Sequence, residues 1–172
     1  MLNIWPPVCK NIAFRINSEA MNAIDEFWMQ KAILEARRAS DIGEVPVGCA
    51  IVGPTGDLLA LASNETILRN DPTAHAEIIA LRIAAAEIGN YRLVGTTVYS
   101  TVEPCAVCAG ALVNARAKRL VFGAHDERFG AVESIFRICD SPQLNHRIEI
   151  TAGVLADECR ELIQDFFRAR RP

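Results

Sequence analysis

Two short stretches decide how this chain is read: Asp71-Pro72-Thr73-Ala74-His75-Ala76-Glu77-Ile78 and Glu103-Pro104-Cys105-Ala106-Val107-Cys108-Ala109-Gly110-Ala111. Each opens a helical pattern. After the first, Ile79, Ile83 and Ala86 recur at helical spacing until Gly89-Asn90 stops the run; the second continues to about Ala115. Pro104 suits a helix start, because the first turn needs no amide hydrogen bond there. Cys105 and Cys108 stand at i and i+3, on one helix face, so two thiolates can grip one tetrahedral cation. The positive end of the helix dipole favours the thiolate form. His75 and Glu77 are two positions apart and in mid-helix would point to nearly opposite sides. Both reach one site only if His75 occupies an irregular helix start.

His75, Cys105 and Cys108 are therefore candidate ligands for one Zn²⁺ per subunit, and Glu77 is the candidate catalytic proton shuttle. Three protein ligands leave the fourth position to water, which separates a catalytic centre from a closed structural one. Zinc lowers the pKa of such a water to about 7 in favourable sites. A carboxylate beside it can take the proton, pass it to a ring nitrogen and later to a leaving amine. Hydroxide attack at an amidine-like carbon followed by loss of ammonia is hydrolytic deamination. The spare thiols are Cys9, Cys49, Cys139 and Cys159. If one of them completed the shell, the zinc would be structural. Cys49, in a strand pattern, and Cys159, on an apolar helical stripe, read instead as small buried hydrophobes. His125 and His146 fall in expected loops and read as surface or hydrogen-bonded side chains.

Working outward, a helix is expected over residues 24–40, where Phe27, Trp28, Ala32, Ala36 and Ala39 recur between charged residues. Residues 45–52 and 58–62 flank Gly53-Pro54-Thr55-Gly56-Asp57 and read as a hairpin. A polar loop follows through Asn64, Arg69, Asn70, Asp71 and Pro72. Strands are expected at 96–101, 119–122 and 147–151, a short helix at 133–139, and a last helix over 155–170 striped by Leu155, Cys159, Leu162, Ile163 and Phe166. The class is α/β: a mixed five-stranded sheet with helices packed on both faces.

At 172 residues and 51% hydrophobic composition the chain is long enough for one domain with a sizeable core. That domain is expected over residues 23–172, after a disordered extension at 1–22. Met21, directly before the first helical pattern, marks an alternative start. A net charge of −3 argues against coating nucleic acid through the overall field, so any RNA must meet a restricted surface. No stretch approaches the roughly 20 apolar residues needed to span a bilayer. Disulfide frameworks belong to small secreted chains, so a reducing cytoplasm is expected.

The wider sequence resembles the bacterial tRNA adenosine deaminases, which have a cytidine deaminase-like fold. The resemblance rests on Glu44-Val45-Pro46-Val47-Gly48, Asn64, the two stretches quoted above, Asn90-Tyr91-Arg92-Leu93, Val121-Phe122-Gly123-Ala124, Asn145-His146-Arg147 and Asp165-Phe166-Phe167-Arg168-Ala169-Arg170-Arg171. It implies a homodimer, one zinc and no organic cofactor. The implied substrate is the anticodon arm of a tRNA, whose wobble adenosine is converted to inosine by attack at C6. It also implies that Asn64 hydrogen-bonds the target base and that Asp71, Ala76, Phe167 and Arg170 lie at the substrate. Arg168, Arg170 and Arg171 would offer phosphate contacts, although arginines at a helix C-terminus are also favoured by its dipole alone. Glu127 and Phe129 depart from the family's loop at that position. A deaminase of a free base or nucleoside, such as guanine or cytosine, would share all four site residues and the fold.

Overall fold

Strand alternation builds the centre of the molecule. The computed structural model describes residues 18–170; Cys9, Arg171 and most of the expected N-terminal extension lie outside the described residues. Strands β1 (Gly48–Val52), β2 (Leu58–Ser63), β3 (Thr97–Val102), β4 (Arg119–Ala124) and β5 (Glu149–Ala152) form one sheet in the order β2-β1-β3-β4-β5. β1 is antiparallel to both β2 and β3, whereas β3–β4 and β4–β5 are parallel. A parallel pair needs a crossover, and between β3 and β4 helix α4 (Ala106–Ala115) supplies it.

β1 is buried on both sides, and its alternate residues serve two cores. Cys49 and Ile51 join the core beneath α3 (Ala76–Ile88) and α4, with Ile79, Leu112 and Phe122. Ala50 and Val52 join a second core beneath α1 (Ser18–Asp41) and α5 (Ala156–Arg168), with Met29, Ile33, Tyr99 and Cys159. The mixed sheet with helices on both faces is therefore as the pattern implied. α1 crosses β1 so closely that a Cβ on Gly48 would stand 1.9 Å from the Ala32 carbonyl oxygen. Only glycine permits that approach.

Four local readings change. α1 begins at Ser18, inside the extension expected to be disordered, because its first turns are anchored. Asp25, 1% exposed, accepts both guanidinium nitrogens of Arg119 at 2.8 and 2.6 Å and the Tyr99 hydroxyl at 3.1 Å. A short helix α2 (Thr66–Arg69) forms within the expected polar loop, its Leu68 amide held by the Glu44 carboxylate at 2.7 Å. The helix expected at 133–139 does not form; the segment runs as turns, since Glu103 Oε1 takes the amides of Val132, Glu133 and Ser134 at 3.1, 2.7 and 2.9 Å. β5 lies at Glu149–Ala152, displaced toward the C-terminus from the 147–151 expected. Among the described residues no helix is long and apolar enough to cross a membrane.

The Asp25–Arg119 pair generates a prediction. Asp25→Ala leaves a half-buried guanidinium and the Tyr99 hydroxyl without their acceptor, so chemical denaturation should show a loss of about 3 kcal/mol. A loss below about 0.5 kcal/mol would mean the pair anchors nothing.

Candidate active site

Both helices that carry the site begin on extended residues. His75 (φ −72°, ψ 151°) caps α3 and Cys105 (φ −71°, ψ 174°) caps α4. The condition placed on His75 is thus met: outside the helical spiral, its ring is free to meet the same site as Glu77, in the first turn of α3. Pro104 stands just before the cap rather than within the helix, and its carbonyl accepts the Ala131 amide at 2.9 Å.

His75 Nδ1 lies 3.6 Å from Cys105 Sγ and 3.4 Å from Cys108 Sγ, and the two sulfurs are 3.7 Å apart. With Zn–S near 2.3 Å and Zn–N near 2.05 Å, a tetrahedral shell has S–S and S–N edges of about 3.8 and about 3.6 Å. The observed triangle fits zinc, and its soft sulfur and imidazole donors suit that ion. Among the described residues, these three are the His, Cys, Asp and Glu groups close enough together to hold a metal. Glu77 stands beside them without joining, its Oε2 3.5 Å from Cys108 Sγ.

Electrostatics favour a cation here. A hydrogen bond from the Cys108 thiol, with help from His75, holds Cys105 down to about 3, while that contact and burial push Cys108 up. Two thiolates this close need positive charge between them. Burial pushes the Glu77 carboxyl up, opposed by the His75 charge and by the Ser100 hydroxyl, which donates to Oε1 at 3.1 Å. The other described cysteines stand apart. Cys49, Cys139 and Cys159 are buried, with no disulfide, and burial pushes the last two up to about 12. They are small hydrophobes in the cores, as expected of Cys49 and Cys159.

Two buried carboxylates that the sequence quoted without a role brace the site. Glu44, 1% exposed, accepts the Asn64 amide nitrogen at 3.1 Å, the Thr66 hydroxyl at 3.2 Å and the Leu68 amide. It fixes the Asn64 carboxamide by its nitrogen, which leaves the oxygen as the acceptor end. Glu103 takes the amides of Asp126, Val132, Glu133 and Ser134 and the Ser134 hydroxyl. Burial alone would raise its pKa, but these donors outweigh it and bring it to about 2. Their signal in the sequence is weak, since most of these donors are backbone amides.

The other expected contacts are scattered. Asp71 is engaged in a turn, its Oδ1 accepting the Thr73 amide at 2.8 Å and hydroxyl at 2.7 Å, which leads the chain into His75. Ala76, expected at the substrate, is 0% exposed and packs in the core, so its side chain offers a ligand no surface in this conformation. Phe167, exposed, and Arg170 line a cleft of about 1080 Å³ between α5 and residues 124–129. The Arg170 guanidinium stacks 3.6 Å from the Phe166 ring centroid. None of the metal-binding residues lines this cleft, though its wall includes Val102, at the end of the strand that leads to Cys105.

Metal analysis of the purified protein should give one zinc per chain. Cys108→Ser and His75→Ala should each bring that to near zero, whereas Cys49→Ala, Cys139→Ala and Cys159→Ala should keep it. Zinc lost from any of the latter three, with folding intact, would contradict the assignment.

Residues 22–124 match the model of the cytidine and deoxycytidylate deaminase zinc-binding region. The tRNA-specific adenosine deaminase of Haemophilus influenzae is 46% identical over 159 residues, covering 92% of this chain and 90% of that protein. A solved structure described in a study of A-to-I editing by tRNA:A34 deaminases at the wobble position superposes with a TM-score of 0.76 at 40% identity, covering 79% of this chain and 98% of that one. The guanine deaminase of Nitrosomonas europaea shares the fold, with a TM-score of 0.68 at 22% identity, over 92% of this chain and 98% of that one. A His-Cys-Cys zinc triangle at two extended helix starts, on this mixed sheet, goes with these likenesses: the chain belongs to the zinc-dependent deaminases of the cytidine and deoxycytidylate deaminase family and, within them, to the tRNA-specific adenosine deaminases.

Proposed function

We propose that this chain converts adenosine to inosine at the wobble position of a tRNA anticodon, as a cytoplasmic homodimer. The observation that carries the chemistry is the three-donor metal triangle with the Glu77 carboxylate beside it and outside it. Three donors leave room for water, and zinc, when bound, supplies the Lewis acid that lets water ionise near neutrality.

The chain's own residues do the rest. Glu77 takes one proton from the attacking water and delivers it to N1 of the purine, next to the attacked C6. It then carries the remaining hydroxyl proton to the amine, which leaves as ammonia. Adenosine and water become inosine and ammonia, and Glu77 returns to its starting state. The Ser100 hydroxyl holds Glu77 Oε1, so that Oε2 is the arm free to move protons. Asn64, fixed by Glu44, presents its carboxamide oxygen as an acceptor for the base. A wobble base is already unpaired, which keeps the cost of drawing it into the pocket low.

The relatives' substrate favours RNA over a free base, whereas likeness to the guanine deaminase reaches only the fold. A second copy of the chain is supported by exposed apolar side chains, Ile67 and Leu68 on α2 and Val107 on α4. The free thiols suit a reducing compartment.

Incubation with an anticodon stem-loop should yield inosine, and Glu77→Ala should lower turnover about 10²- to 10⁴-fold with zinc and thermal midpoint retained. Unchanged turnover would remove Glu77 from the mechanism. Ammonia from guanine, cytosine or free adenosine, with no inosine in the RNA, would replace the tRNA reading with the free-base one.

A further inference from the structure

Phe129 is an exposed aromatic side chain that belongs to neither core and not to the zinc site. It is 71% exposed and has no ring partner among the described residues. Its backbone is nevertheless tightly held. Asp126 Oδ1 accepts the Arg128 and Phe129 amides at 2.9 and 3.2 Å, and the Asp126 carbonyl accepts the Gly130 amide at 2.9 Å. Gly130 forms a bridge with the zinc-binding residue Cys105. A Cβ there would stand 2.4 Å from the buried Glu103 carboxyl, so the loop admits no side chain at that point. Phe129 is therefore a ring on a firm mount, one residue from the backbone that pairs with Cys105.

The ring lines the cleft shared with Phe167, Arg128, Arg160, Arg168 and Arg170. Arg160 and Arg168 pair with Asp157 and Asp165 on their own helix, whereas Arg128 and Arg170 have no carboxylate partner among the described residues. An open aromatic face beside guanidinium groups that no carboxylate neutralises, Arg128 and the Phe166-stacked Arg170, matches an unpaired nucleotide: the ring takes the base, the cations its phosphate. Drawing the target adenosine out of a loop also strips its neighbour of a stacking partner. An aromatic mounted one residue from the Gly130 bridge to Cys105 can replace that partner.

We infer that Phe129 stacks against the nucleotide flanking the target adenosine, with Arg128 and Arg170 facing its backbone, and so strengthens the binding of the RNA loop. This rests on the RNA reading above.

The test measures inosine formation by the full-length zinc enzyme on an anticodon stem-loop and on two versions with an abasic site 5′ or 3′ of the adenosine. Phe129→Ala should lower kcat/KM about 5- to 100-fold, mainly through KM, the range of base–aromatic stacking. Zinc content and thermal midpoint should not move, and Phe129→Trp should recover most of the loss. On one of the two abasic substrates the wild-type protein and Phe129→Ala should become equal, since the base that the ring would meet is gone. Equal kcat/KM on the intact stem-loop, or a loss that persists on both abasic substrates, would overturn the inference. So would a change in subunit number by light scattering in Phe129→Ala, which would assign the ring to a contact with a second copy. Absence of inosine from the wild-type protein would instead overturn the RNA reading itself, and this inference with it.

Discussion

The site depends on one backbone constraint: two helices that each begin on an extended residue. Had His75 been helical, its ring and Glu77 would have faced opposite sides of α3, and one of them would have missed the metal. With ψ near 151° at His75 and 174° at Cys105, the two starts converge until three donors stand 3.4–3.7 Å apart. The sheet fixes that convergence. α4 follows directly from β3, and α3 packs against the same core, so neither start can shift without disturbing Cys49, Ala76 and Leu112.

Burial then sorts the polar groups by task. Glu77, Glu44 and Glu103 are all nearly inaccessible carboxylates, yet their surroundings differ. Glu103 is surrounded by backbone amides and is locked as an anion that ties residues 126–134 beside Cys105. Glu44 is spent on Asn64, Thr66 and the Leu68 amide, a brace for the residue expected to read the base. Glu77 keeps one oxygen on Ser100 and the other toward the metal triangle. An acid saturated with fixed donors holds shape; one left partly unsatisfied can move protons.

Much of this was legible in the sequence. The ligand set followed from residue type and spacing, and the irregular start at His75 followed from requiring it and Glu77 to share a site. The sheet and its two helical faces followed from alternation in segments such as 45–52. What stayed hidden depends on partners far along the chain. The 133–139 segment has a helical pattern, but Glu103 draws its amides into turns. Ser18 to Asn22 reads as polar extension until Asp25 meets Arg119 across the sheet. Ala76 is buried in the core, a placement that its position beside His75 in the sequence does not reveal.

The central claim is that the metal has three protein donors and an open fourth position, and X-ray absorption spectroscopy at the zinc edge tests it most directly. The account predicts two sulfur scatterers at about 2.3 Å, one imidazole nitrogen near 2.0–2.1 Å and one further oxygen, replaced when a purine analogue carrying a hydroxyl at the reacting carbon binds. Three or four sulfurs, or a shell unaltered by such an analogue, would make the zinc structural and contradict the account.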